Sequence, residues 1–154
     1  NVEASAACRL PGEVDFRLTG RADRIDIMDD GSVDIIDFKT GTSPSAKEAR
    51  SLLDPQLPLE AYAVMQSGFK DIHSNKVRSL KYVRLKPADQ LIVDQVEAKP
   101  TRKEPEPLSA EQLGQKAADE LSQLLNELYI NKHTNSISFF FFFYVDDHGI
   151  TNDL

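Results

Sequence analysis

Asp37 and Lys39 stand two residues apart in the stretch IIDFKTG. In an extended strand, positions i and i+2 project from the same face, so this carboxylate and this ammonium lie side by side. Such a pair can orient a water molecule or offset charge that develops during a reaction. It can equally be a plain salt bridge on a solvated face, and D-x-K alone is a weak sign. The neighbours Ile35, Ile36 and Phe38, however, predict a central strand covered on both faces. Buried ion pairs stabilise poorly, because desolvation offsets their attraction. A strand composed for a core therefore carries these charges for a reason other than the core.

One hairpin upstream, GRADRID supplies Asp23 and Asp26. Two loops could join the strands. A two-residue loop at Asp30-Gly31 sets Arg24 opposite Asp37 and turns Asp23 to the other face. A three-residue loop, Asp29-Asp30-Gly31, sets Asp23 opposite Asp37 and leaves Gly31 at the left-handed position such loops require. Two facing carboxylates repel unless a proton or a cation sits between them. Magnesium suits them, since it is commonly held by one or two carboxylates, waters and a phosphate oxygen. With Lys39 alongside, such a site would lower the pKa of a water and aim it at a phosphorus atom.

The order GRADRID, hairpin, IIDFKTG, then a helix opening QLPLEAY resembles the RecB-type branch of the PD-(D/E)xK nuclease superfamily. The wording is most similar to the C-terminal nuclease domain of AddB, a subunit of bacterial helicase–nucleases that process double-strand breaks. The resemblance runs over residues 14 to 97. It implies a mixed β-sheet flanked by helices, of restriction-endonuclease-like α/β class. It also implies a Mg²⁺-dependent deoxyribonuclease, with Mn²⁺ as a substitute, acting as an exonuclease in double-strand break repair. In that picture Asp23, Asp37, Lys39 and Gln56 are catalytic. Asp23, Asp37 and the Phe38 carbonyl hold the metal, and Gln56 positions DNA or the lysine. DNA and an AddA-like helicase–nuclease subunit are the implied partners, and the setting is cytoplasmic.

Three departures stand beside the match. The family places a tyrosine four residues after the glutamine; here that position is Glu60, and Tyr62 is the nearest tyrosine. The upstream helix that lends a further acidic or histidine ligand is missing, and neither Glu3 nor Glu13 follows a helical pattern. The four cysteines that hold an iron–sulfur cluster in some AddB domains are absent, since Cys8 is the single cysteine. A catalytically inactive nuclease-like module, used for DNA binding or subunit docking, is the alternative function.

The elements that must position these residues follow from pattern. VDFRLTG and ADRIDIM read as strands, DDGS as a turn and VDIIDFK as a further strand. Ser43-Pro44 opens a helix over SAKEARSLL, and a second helix begins near Gln56 and stops by Gly68, with Pro58 tolerable in its first turn. VRSLKYVRL and LIVDQVEA are strands around a KPAD turn. Ser109 and Gln112 form a capping box before a helix with Leu113, Ala117, Leu121, Leu124, Leu125 and Leu128 on its apolar face. Residues 1–130 read as a single domain, the C-terminal piece of a longer protein; residues 131–154, with five consecutive phenylalanines, read as an atypical tail with no assigned function.

Composition narrows the rest. With 154 residues, 40% hydrophobic and 28% charged, the chain suits one globular domain. No apolar run reaches the roughly 20 residues that span a bilayer, so no membrane association is expected. The net charge of −7 argues against gripping nucleic acid by bulk electrostatics. Arg21 and Arg24 flank Asp23 and are candidates for DNA contact, as is Tyr62, although the arginines could equally pair with Asp15, Asp26 or Asp34. His73, His133 and His148 lack metal-ligand spacing and read as surface residues.

Overall fold

The computed structural model describes residues 4–12, 15–40, 45–86, 90–103, 105–132, 136–138 and 144–147. Strand β1 (Ala4–Arg9) pairs antiparallel with β2 (Phe16–Ala22). Phe16 and Leu18 alternate with exposed Arg17, which turns one face of β2 into the core. At Asp23 the chain bends, and β3 (Arg24–Ile27) enters a different sheet, paired antiparallel with β4 (Val33–Lys39). The hairpin takes the three-residue loop. Met28 donates to the Ser32 carbonyl at 2.8 Å, and Gly31 sits at φ +79°. Arg24 faces Ile36, so the same register one step further brings position 23 opposite position 37.

From β4 the chain crosses through α1 (Ala46–Arg50) and α2 (Gln56–Met65) to β5 (Val77–Lys86), which pairs parallel with β4. β6 (Gln90–Gln95) then adds antiparallel to β5, which completes a mixed sheet in the order β3-β4-β5-β6. The expected helix entry at Ser43-Pro44 lies outside the described residues; α1 is capped by Ser45, in a box with Glu48. Pro58 falls in the first turn of α2, as the missing N–H requires.

Helix α2 is buried on every side from Gln56 to Val64, because it lies between the sheet and α3 (Ala110–Lys132). Leu57, Ala61 and Val64 pack with Ile35, Leu80 and Tyr82 of the sheet, while Leu59 and Tyr62 pack with Ala117, Ala118 and Leu125. The two helices approach at Gly114, where a Cβ would stand 2.9 Å from the Tyr62 backbone nitrogen and 3.0 Å from the Pro58 carbonyl oxygen. The Ser109–Gln112 box forms in both directions. Leu124, expected on the apolar stripe of α3, is instead 44% exposed.

The mixed sheet forms as expected, and the described strands make a second, antiparallel sheet of four beside it, because the bend at Asp23 parts β2 from β3. One expectation is corrected. Strand β4 is central, but helices cover one of its faces only. Ile36 is half-buried and Phe38 is 51% exposed, with exposed Leu85, Leu91 and Val93 on the strands beside it. Both helices of the crossover pack on the face of Ile35 and Tyr82, which leaves the reverse face open at Phe38, while Asp34 on that face is covered by Arg78 and Lys81. Of the tail, β7 (Ser136–Ser138) and β8 (Tyr144–Asp147) pair with each other, and β8 pairs with β2; Phe139 to Phe143 lie outside the described residues.

Candidate active site

The C-terminal end of β4 and the first turn of α2 face each other, and their side chains meet in one polar group. Asp37 is 2% exposed on the helix-facing side of β4, and Lys39, two residues on, shares that side. The Lys39 Nζ lies 2.9 Å from Asp37 Oδ2. Gln56, the first residue of α2, lies across from both. Its Nε2 donates to Asp37 Oδ1 at 2.9 Å, and its Oε1 accepts from Lys39 Nζ at 3.1 Å. The amide thus satisfies the acid with its donor end and the base with its acceptor end.

Asp23 completes the approach from the bend between the sheets. It is exposed, and its Oδ2 accepts from the Phe38 N–H at 3.0 Å. Burial pushes the Asp37 carboxyl above the ordinary aspartate range; the charge of Asp23 adds to this, and Lys39 and Gln56 oppose it without cancelling it. Asp37 is thus ionised at a cost that a cation would relieve.

Among the described residues no group of three or more His, Cys, Asp or Glu side chains converges as a metal cage. The donors that can meet a cation are two carboxylates, Asp23 and Asp37, with the Phe38 carbonyl on the strand edge between them. Such a set fits a hard divalent ion that completes its coordination with water and phosphate oxygen. No helix among the described residues is long and apolar enough to cross a membrane.

The residues singled out for DNA contact fare differently. Arg24 is bound to Asp26, Nε to Oδ1 at 2.7 Å, which is the alternative pairing considered for it. Arg21 is exposed on β2 opposite Ser5. Tyr62 is corrected: it is 4% exposed, its hydroxyl donates to the Arg9 carbonyl at 2.9 Å, and its ring lies in the core between α2 and α3. Two residues downstream of Glu60, it turns away from the face of α2 that carries Gln56. Cys8 is half-buried, and burial pushes its thiol up to about 11, which suits no nucleophilic role. His73 is exposed, and His133 and His148 lie outside the described residues.

Sequence reasoning passed over two members of the group. Tyr82 of β5 sits beside Asp37 in the parallel ladder, fully buried, with Lys39 Nζ 5.8 Å from its ring centroid. Pairing VDIIDFK with SLKYVRL in parallel would have brought it in. Glu60 stood out only as a departure from pattern. It lies one turn after Gln56, with no exposure, and its Oε1 accepts from Gln56 Nε2 at 3.2 Å.

With this geometry in place, the comparisons with known proteins give the class. The model of the PD-(D/E)XK nuclease superfamily matches residues 2–136. The chain belongs to that superfamily, and its mixed sheet with flanking helices is the restriction-endonuclease-like fold. An uncharacterized protein of Rickettsia bellii (strain RML369-C) is 41% identical over 59 residues, which are 38% of this chain and 7% of the relative. Uncharacterized protein RC0550 of Rickettsia conorii (strain ATCC VR-613 / Malish 7) is 40% identical over 60 residues, 39% of this chain and 7% of that protein. The matched segment thus covers less than a tenth of the length of these curated relatives. No solved structure matches it.

Proposed function

We propose that the chain is the nuclease domain of an AddB-like subunit, hydrolysing DNA phosphodiester bonds with Mg²⁺ as an exonuclease in double-strand break repair. The observation that carries this reading is the polar group in which Gln56 bonds both Asp37 and Lys39, with Lys39 beside Asp37 and Asp23 at its edge. Asp23, Asp37 and the Phe38 carbonyl would hold the cation. Such a cation supplies the positive charge that eases deprotonation of a water and steadies a phosphate under attack. Asp37 stays ionised beside the reacting phosphorus, and Lys39 supplies the ammonium that offsets charge on the phosphoryl oxygens. Gln56 keeps Lys39 directed at that point. The net charge of −7 supports a domain that receives DNA from an AddA-like partner in the cytoplasm rather than one that captures it alone.

The test is cleavage of labelled linear DNA, with RNA in parallel, in Mg²⁺, Mn²⁺ or EDTA, beside an Asp37→Ala control. Metal-dependent cutting of DNA that vanishes in the control supports the reading, and a folded wild type that never cuts overturns it. A second reading, an inactive docking module, is favoured by the exposed apolar face of Phe38, Leu85, Leu91 and Val93. It predicts binding without cutting.

A further inference from the structure

Among the described residues, Glu60 is hard to explain by packing. It has no exposed surface, and among the described residues its Oε2 has no hydrogen-bond partner. A buried polar atom without a partner is destabilising, and a leucine of similar volume would avoid the cost. Its one side-chain hydrogen bond among the described residues is with Gln56, four residues earlier on the same helix. That contact takes the second N–H of an amide whose first N–H is already given to Asp37.

The geometry points to Glu60 as a positioning residue that anchors the Gln56 amide, holding its carbonyl towards Lys39 and its N–H towards Asp37. The inference rests on the nuclease reading above. A turned amide would set oxygen against Asp37 and N–H groups against the Lys39 ammonium, losing both of those bonds. Asp37 and Lys39 are the groups that a cation and a phosphate would engage, so their hold on Gln56 changes as the site is filled. Glu60 is not shared with substrate. It stands one helical turn along α2, at the spacing that brings side chains together on one helix face. Burial pushes its carboxyl well above the ordinary glutamate range, so it accepts from Gln56 without setting a further negative charge beside Asp37.

The experiment compares wild type, Glu60→Gln and Glu60→Leu as the metal-free full chain, by NMR hydrogen exchange of the Gln56 side-chain amide. A glutamine keeps an acceptor for Gln56 and a leucine does not. Protection is expected in wild type and Glu60→Gln, and at least about tenfold less in Glu60→Leu with the backbone amides of α2 unchanged. Assayed on DNA with Mg²⁺, Glu60→Leu is expected to lower kcat by about 10- to 100-fold against Glu60→Gln, the usual scale for an outer-shell partner, with KM unmoved. Undiminished amide protection or undiminished kcat in Glu60→Leu overturns the proposal, as does a Glu60→Gln as impaired as Glu60→Leu. If leucine unfolds α2, Glu60→Met takes its place, and unfolding in both assigns Glu60 a structural role and overturns the proposal. A wild type that does not cut DNA fails the nuclease reading, while amide protection still decides what Glu60 holds.

Discussion

Asp34 and Asp37 lie three residues apart on β4, on opposite faces, and each is 2% exposed. Their environments push them in opposite directions. Asp34 accepts from Arg78 at both oxygens, at 2.8 and 2.7 Å, and from Lys81, and these bonds, those of Arg78 foremost, hold its carboxyl below the ordinary aspartate range. Asp37 has one ammonium and one amide, and burial holds it above that range. Equal exposure therefore does not decide the charge state; the number of cations supplied does. Asp34 has more than it needs and belongs to the framework. Asp37 has fewer than it needs, which is the condition of a group that works with a ligand.

The comparison is most directly tested by removing each acid. Asp37→Ala should lower metal-dependent DNA cleavage by about 10²- to 10³-fold without lowering the melting temperature, since the fold disfavours that charge. Equal loss of melting temperature in Asp37→Ala and Asp34→Asn would erase the distinction. Lys39→Met should lower cleavage by about 10²-fold, the lower end for a group that offsets developing charge. It should also raise the Asp37 titration further, followed by carboxyl ¹³C NMR; an unmoved titration would show that Lys39 does not hold the acid.

Smaller effects sharpen the contrast. Gly114→Ala sets a Cβ against α2 backbone at Tyr62 and Pro58, and should cost about 2 kcal/mol by denaturant titration. It should also lower cleavage below the melting point, because α2 carries Gln56, while the Asp34 pairs stay intact. Asp34→Asn should cost about 1 kcal/mol, since Arg78 and Lys81 can turn to water, and leave cleavage unchanged. Its pH dependence has a definite sign. A carboxyl lowered on folding stabilises above its unfolded pKa, about 3.9, and loses that contribution as pH falls through the folded value. Wild type and Asp34→Asn should therefore converge in melting temperature in acid and separate above it. Asp37 runs the other way: its ionisation weakens the fold as pH rises from the unfolded value through the raised folded one.

Much of the site was legible because its members lie on short, regular pieces of chain. Period-two alternation put Asp37 and Lys39 on one face, the glycine at position 31 fitted the three-residue loop that sets Asp23 opposite Asp37, and Gln56 opened a helix with a proline in its first turn. The strand β1 was not foreseen, because ASAACR lacks the branched and aromatic residues that mark a strand, and it is held by pairing with β2 instead. Tyr62 was misplaced because a tyrosine near a motif says nothing about which side of a fully buried helix it leaves by.

Local rules of backbone geometry and hydrophobic period were enough to narrow the hairpin to two registers, to cap the last helix at Ser109 and to set the D-x-K face from the sequence itself. What only the tertiary structure decided were the relations between distant pieces: which face of β4 the helices cover, how closely α2 meets α3 at Gly114, and that Glu60 stands behind Gln56 rather than in water. Those depend on the packing of whole elements. The charge states of Asp34 and Asp37 follow from that packing, because a carboxylate is governed by the cations that the fold brings to it.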